Sequence, residues 1–228
     1  MIEKGVTVLK LEGTNIELLY RNAIRATEKC LQECSQKVAS RYGGEPILSV
    51  SDRIKTPESI QKKLGKKGYD QDTGDALDKL NDIAGVRVVC GYLDDIYRIR
   101  RELRKHPEFV ILKEKDYIRH PRKSGYRSLH IIGSVSVASE NGIQDVKVEI
   151  QLRTLVMHLW AELDHDRYYK KQKKEESLDQ ILKSCAKMGK KLDVQMQKAR
   201  KQMDLEEKAE RERGEWMLHT GKEEDRDD

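Results

Sequence analysis

Apolar and polar positions alternate in two distinct rhythms along this chain. Between Asn15 and Tyr42, Ile16, Leu19, Ala23, Cys30, Cys34 and Val38 recur at spacings of three, four and seven. That period predicts a long amphipathic helix, which Gly43-Gly44 ends. ILSVSDRIK, 47–55, reads as a short strand running into a basic tip. Thr56-Pro57 supplies an N-cap with proline in the first turn, so a helix follows to Leu64. GKKGYDQDTGD reads as a mobile loop, and a short helix through Leu77 and Leu80 comes next. GVRVVCGY, 85–92, is a β-rich apolar strand, and LDDIYRIRRELRKH is a helix with Ile96, Ile99 and Leu103 inward. FVILKEKDYI, SLHIIGSVSV (128–137) and DVKVEIQLR (145–153) are three further strands, the last two joined by a turn at Asn141-Gly142. From Thr154 the pattern is helical through Arg213. The order predicts an α/β (α+β) fold, a mixed β-sheet of about five strands flanked by helices.

Composition narrows this picture. The chain has 228 residues, enough for one domain with an appendage or two small domains. The balance of 45 basic against 40 acidic residues leaves a net charge of only +5. That excludes a general nucleic-acid coat, so any anion site must come from local clustering. Cysteines 30, 34, 90 and 185 form no CxxC pair and suggest buried, reduced thiols. No signal peptide opens the sequence, and no run approaches the ~20 apolar residues of a membrane span. These features predict a cytoplasmic protein without membrane association.

The candidate chemistry lies on the strands. Val146, Val148, Ile150 and Leu152 alternate with Lys147, Glu149, Gln151 and Arg153, so the two sets take opposite faces. Leu129, Ile131, Val135 and Val137 share one face, while Ser128 and His130 point the other way. A hairpin between these strands would put His130 on the face of Glu149. Asp82 precedes a strand that contains Arg87, an arginine needing a partner or ligand among apolar neighbours. Arg53 and Lys55 share a face of the first strand. RKSGYRSLH, 122–130, offers an exposed aromatic on a basic, glycine-hinged loop. Carboxylates for a divalent cation, basic groups for phosphates and planar groups for bases together suit a nucleotide. Glu162-x-x-His165 matches only half of a di-iron motif, and neither GxxxxGK[ST] nor GxGxxG occurs.

Five strings in order carry a resemblance: DIAGVR (82–87), KDYI (115–118), GYRSLH (125–130), VEIQLRT (148–154), and Trp160 through Asp164-His165 to Tyr169-Lys170. Over roughly residues 45–175 the chain resembles the synthetase domain of RelA/SpoT enzymes, and its length is similar to that of small alarmone synthetases. The resemblance implies a nucleotidyltransferase-like synthetase domain with long C-terminal helices, using Mg²⁺ to move pyrophosphate from ATP to the ribose 3′-OH of GDP or GTP. By position, Asp82 and Glu149 would be the catalytic and metal-binding carboxylates. Arg53 and Arg87 would sandwich adenine, and Lys55 and Lys115 would hold the donor's phosphates. Tyr126 would stack on guanine, with Arg122, His130, Gln151 and His158 on the acceptor. Relatives often carry arginine in place of Lys115 and asparagine or aspartate in place of His158. The implied organisation is an N-terminal helix (1–44), the synthetase domain (45–175), a C-terminal helical segment (176–214) that assembles a homotetramer, and a disordered acidic tail (215–228). An apolar stripe of Ile181, Leu182, Cys185, Met188, Leu192, Met196 and Met203 would build the tetramer or pack on its own sheet. Two rivals stay open: a toxin-type pyrophosphokinase acting on the tRNA 3′ end, served by lysines 170, 171, 173 and 174, and a degenerate nucleotide- or RNA-binding regulator. RNA is also a candidate regulator of an active enzyme.

Overall fold

The computed structural model describes residues 15–69, 79–140, 142–169 and 176–220. Its elements run α1 (Asn15–Tyr42), β1 (Ile47–Ile54), α2 (Pro57–Lys67), β2 (Ala84–Cys90), α3 (Leu93–Leu103), β3 (Val110–Asp116), β4 (Leu129–Ser139), β5 (Gly142–Thr154), α4 (Leu155–Tyr169) and α5 (Glu176–Thr220). The five strands form one sheet in the order β1-β2-β5-β4-β3. β2 and β5 pair in parallel, and every other pair is antiparallel.

Alternation along the strands sorts the sheet into two faces. Val86, Val88, Leu129, Ile131, Val148, Ile150 and Leu152 are buried together under Ile24, Leu31 and Val38 of α1 and Ile96, Ile99 and Leu103 of α3. The other face carries the polar set, aligned across strands by register. Ser51, Arg87, Gln151, His130 and Lys115 form one row, and Arg53, Gly85, Glu149, Ile132 and Lys113 form the next.

The cap at Thr56 is as expected: its Oγ1 accepts from the Ser59 N–H at 3.4 Å, with Pro57 in the first turn. α2 runs three residues past Leu64, consuming the start of the expected loop, and ends at Gly68 in the left-handed region. Residues 70–75 of that loop, the expected helix start at Leu77, Asn141 and lysines 170, 171, 173 and 174 lie outside the described residues. Leu80 is buried in an irregular segment ahead of β2. α5 does not stop near Arg213 but continues to Thr220, so the expected tail begins as helix, and residues 221–228 lie outside the described residues.

α5 docks on its own domain through a small and polar face. Gly189 abuts Val156, the Gln197 amide and the Asp94 backbone and carboxylate bond each other at 2.9 Å, and Arg200 donates to the Gly43 carbonyl at 3.3 Å. Most of the apolar stripe therefore points outward, with Ile181, Met188, Leu192, Met196 and Met203 between 45% and 59% exposed.

Cys30, His106 and Glu108 come close enough together to suggest a metal site between α1 and the chain after α3. His106 Nδ1 accepts from the Glu108 N–H at 3.2 Å, which leaves the ring proton on Nε2, facing Glu33 at 3.0 Å. Burial, helped by Glu108 and Glu33, pushes the Cys30 thiol up to about 11. A protonated thiol and a fully bonded imidazole make this a packing contact.

Candidate active site

Asp82 sits two residues before β2, where the chain turns into the sheet. Its Oδ2 accepts from Lys55 Nζ at 2.7 Å and Lys63 Nζ at 2.5 Å. Burial pushes this carboxyl up, but the two lysines outweigh it and hold it below the ordinary carboxylate range. Its Oδ1 is buried without a hydrogen-bond partner. An ionised oxygen so placed suits a cation.

Glu149 lies on the open face at the middle of β5, and both its oxygens are engaged. His130 Nδ1 stands 3.1 Å from Oε1, and Gln151 Nε2 donates to Oε2 at 2.9 Å. Burial pushes the carboxyl up, the His130 contact and Gln151 pull it down more strongly, and the charge of Asp82 pushes it back up in part. The net position is below the ordinary range, so Glu149 is ionised at neutral pH. The Asp82 charge felt at Glu149 puts the two carboxylates in one electrostatic neighbourhood.

The bonds around Glu149 close into a ring. Arg153 Nη2 donates to the Tyr126 hydroxyl at 3.0 Å and to Gln151 Oε1 at 2.8 Å. Tyr126 Oη lies 2.7 Å from His130 Nε2. An arginine only donates, so the tyrosine hydroxyl accepts from Arg153, and with a neutral His130 it donates its own O–H to Nε2. His130 then carries its proton on Nδ1 and donates to Glu149. Every donor direction runs from Arg153 to Glu149, by two arms.

The sequence expectation of an exposed tyrosine needs correction, and the glycine beside it has a second reason besides its backbone freedom. Tyr126 is half-buried, its hydroxyl is tied down, and Arg122 and Arg153 lie over its ring at 5.4 and 5.5 Å. Gly125, at φ +100°, is a point of close approach: a Cβ there would lie 2.5 Å from Ala186 Cβ of α5. Arg122 also stacks over Tyr117 at 4.6 Å and donates to its hydroxyl at 3.2 Å.

Two open cavities adjoin this ring and share Arg53, Arg87 and Gln151. One, of about 230 Å³, lies over Ser51, Arg53, Gly85 and Arg87, where the glycine leaves floor space between the two arginines. The other, of about 300 Å³, lies between Arg122, Tyr126 and Arg153 on one side and Glu162 on the other. Arg87 Nη1 donates to Glu162 Oε1 at 2.7 Å. Burial lowers the Arg87 pKa, with Arg153 adding to it and Glu162 opposing. His158 stands in the same group, its pKa lowered by burial and by Arg87 and Arg153 against the pull of Glu162. Lys115 is exposed beside His130 in register.

The structure thus gathers Arg53, Arg87, Gln151, Tyr126 and Arg122 around adjoining cavities, ties His130 and Glu149 to them through Tyr126 and Gln151, sets His158 beside Glu162, and leaves Lys55 on Asp82 and Lys115 at the edge. Sequence reasoning missed Lys63, Arg153 and Glu162 as site members. Alternation along β5 already put Arg153 beside Gln151 and Glu149. Glu162 was visible only as half of a metal motif. Lys63 gave no signal, because only the seating of α2 brings it to Asp82.

A family model described as the region found in RelA / SpoT proteins matches residues 52–174. The chain belongs to the RelA/SpoT family. That span contains every sequence-predicted site residue and excludes α1 and α5. The chain is 38% identical over 188 residues to the GTP pyrophosphokinase YwaC of Bacillus subtilis, covering 82% of this chain and 90% of the relative. Among solved structures, it matches small alarmone synthetase 2 from Bacillus subtilis with a TM-score of 0.73 and 37% identity, over 81% of this chain and 97% of that one. It also matches small alarmone synthetase 1 from the same organism, bound to its product pppGpp, with a TM-score of 0.73 and 29% identity, over 80% and 93% of the two chains. Among the described residues of this RelA/SpoT member, no helix is long and apolar enough to cross a membrane.

Proposed function

We propose that the chain is a GTP/GDP pyrophosphokinase. It transfers the β,γ-pyrophosphoryl group of ATP to the ribose 3′-OH of GDP or GTP, giving ppGpp or pppGpp and AMP. The observation that carries this reading is an ionised Glu149 held by a ring of donors, one of which, Gln151, lines both the arginine-flanked cavity and the tyrosine-lined one. Family membership and the relatives' names support the same reaction.

In this mechanism adenine lies between Arg53 and Arg87, and Lys55 and Lys115 grip the donor's phosphates. Guanine stacks on Tyr126, with Arg122 and His158 at the acceptor's polar groups. Glu149 accepts the 3′-hydroxyl proton as the oxygen bonds the β-phosphorus and the bond from that phosphorus to the AMP oxygen breaks. His130 and Gln151 hold the Glu149 carboxylate in position and keep it ionised before the proton arrives. Mg²⁺ bound by Asp82 and Glu149 would neutralise charge on the donor's phosphates. The unpartnered Asp82 Oδ1 fits that ion.

The outward stripe of α5 supports assembly through this helix, and we assign a homotetramer; light scattering coupled to size exclusion tests it, and a monomeric mass rejects it. Reduced, buried Cys30, Cys34 and Cys90 suit a cytoplasmic protein. RNA as a regulator is tested by adding an oligonucleotide to the assay. The reaction itself is tested by incubating the protein with Mg²⁺, ATP and GDP or GTP, and resolving nucleotides by anion exchange. AMP and a 3′-pyrophosphorylated guanosine nucleotide in equal amounts are expected. Label on the tRNA 3′ end without guanosine product would shift the acceptor, and nucleotide binding without any transfer would leave a regulator.

A further inference from the structure

Tyr126 and Arg127 are neighbours on the extended segment that enters β4, and successive side chains there leave on opposite sides. Tyr126 joins the ring around Glu149. Arg127 turns towards α5, where its Nη1 donates to Asp193 Oδ2 at 2.7 Å. The other carboxylate oxygen accepts from Thr154 Oγ1, also at 2.7 Å. Thr154 ends β5, and its Oγ1 accepts from the Met157 N–H at 3.2 Å, capping α4. Arg127, Asp193 and Thr154 are only 7%, 4% and 2% exposed.

Three further contacts tie the same parts together. Gly125 lies against Ala186. Trp160 Nε1 of α4 donates to the Leu182 carbonyl of α5 at 2.8 Å, and its ring lies 6.4 Å from that of Tyr126. A buried ion pair is a poor source of net stability, because desolvation consumes most of its attraction. It does define position. One carboxylate here fixes the tyrosine loop with one oxygen and the start of α4, which carries His158 and Glu162, with the other.

We propose that Asp193 is a positioning residue for the acceptor nucleotide, acting through Arg127 on Tyr126 and through Thr154 on α4. The C-terminal helix, outside the span matched by the family model, is on this account part of the acceptor half of the site. The proposal rests on the reading of Tyr126 as the acceptor's stacking platform.

The test compares wild-type protein with Asp193→Asn, and with Arg127→Lys, which keeps the charge and carries the same test if Asp193→Asn loses its fold. Transfer is measured with ATP and GDP varied separately, and hydrogen exchange is followed in amides 122–130. The expected result is a KM for GDP raised about tenfold or more, with the KM for ATP within about twofold, because displacement of about an ångström penalises the displaced ligand. Loop amides should exchange faster, while those of β1 and β2 keep their rates. A purely structural role would lower the active fraction and leave both KM values in place, and that outcome overturns the proposal. Unchanged loop exchange in both variants also overturns it. If the wild type makes no guanosine product, the transfer reading falls and the acceptor role of Asp193 falls with it. Wild-type product with an unchanged ratio of KM values in both variants overturns the positioning role alone.

Discussion

Replacing Asp82 by asparagine keeps the side chain's shape and removes its charge. Lys55 Nζ and Lys63 Nζ both touch Asp82 Oδ2, at 2.7 and 2.5 Å, so the two nitrogens stand no more than about 5.2 Å apart. Without the carboxylate their repulsion is about 3 kcal/mol at an effective dielectric constant of about 20, and under about 1 kcal/mol in bulk water. Lys55 is mostly buried and Lys63 about one-third exposed, which puts the site between those limits. We expect Asp82→Asn to lose about 1–3 kcal/mol of unfolding free energy at neutral pH. The native Asp82 carboxyl lies below its ordinary value, since the lysines outweigh the effect of burial. Such a group contributes its full stability above the unfolded pKa of about 3.9 and loses it as pH falls through the native value. The gap between wild type and variant should therefore be constant above about pH 5 and close progressively below about pH 4. Urea unfolding followed by circular dichroism across that range measures it directly. A gap that persists undiminished in acid, or no gap at neutral pH, would refute the claim that Asp82 works by neutralising this lysine pair.

Glu149→Gln should slow transfer by about 10²–10⁴ while ATP binding survives in equilibrium dialysis, the usual contribution of a general base; wild-type turnover would reject that role. Tyr126→Ala should raise the KM for GDP by about ten- to a hundredfold, from a lost stack of about 1–3 kcal/mol. Tyr126→Phe keeps the ring and should change it far less; equal effects would place the contribution in the hydroxyl ring instead. Burial pushes the thiols of Cys30 and Cys34 up to about 11 and about 12 and raises Cys90 as well, whereas Cys185 is partly exposed. Mass spectrometry of native protein treated with iodoacetamide should find Cys185 modified first, and early modification of Cys30 would contradict the buried α1 core.

Strict alternation from Val146 to Arg153 was enough to read which side chains of β5 face the helices and which face the site. The cap at Thr56 and the period of α1 were equally legible, because both are local. Strand order was not. Nothing within β2 or β5 says that they pair in parallel, yet that pairing sets Gly85 beside Glu149 and Arg87 beside Gln151. His130 was placed on the face of Glu149 by parity alone, but its bonds to both Glu149 and Tyr126 depend on the β4–β5 register. The glycine in the tyrosine loop carried an ambiguous signal, since freedom to bend and absence of a side chain look the same in sequence. The structure shows that both apply: the backbone is at φ +100°, and Ala186 leaves no room for a Cβ.

The parallel pair has a consequence for the order of events at the ribosome. β2 joins no sequential neighbour on its inner side; its residues pair with positions of β5 that lie 64 further along, Ala84 with Val148, after α3, β3 and β4. Closing so long a loop is an entropically costly step, and pairings of this kind form late. Asp82 and Glu149 are therefore strangers during most of synthesis, and a nascent chain that has delivered only its first half holds one carboxylate without the other. A chain cut short before β5 carries Arg53, Asp82 and Arg87 but lacks Glu149, so no unfinished copy holds both carboxylates.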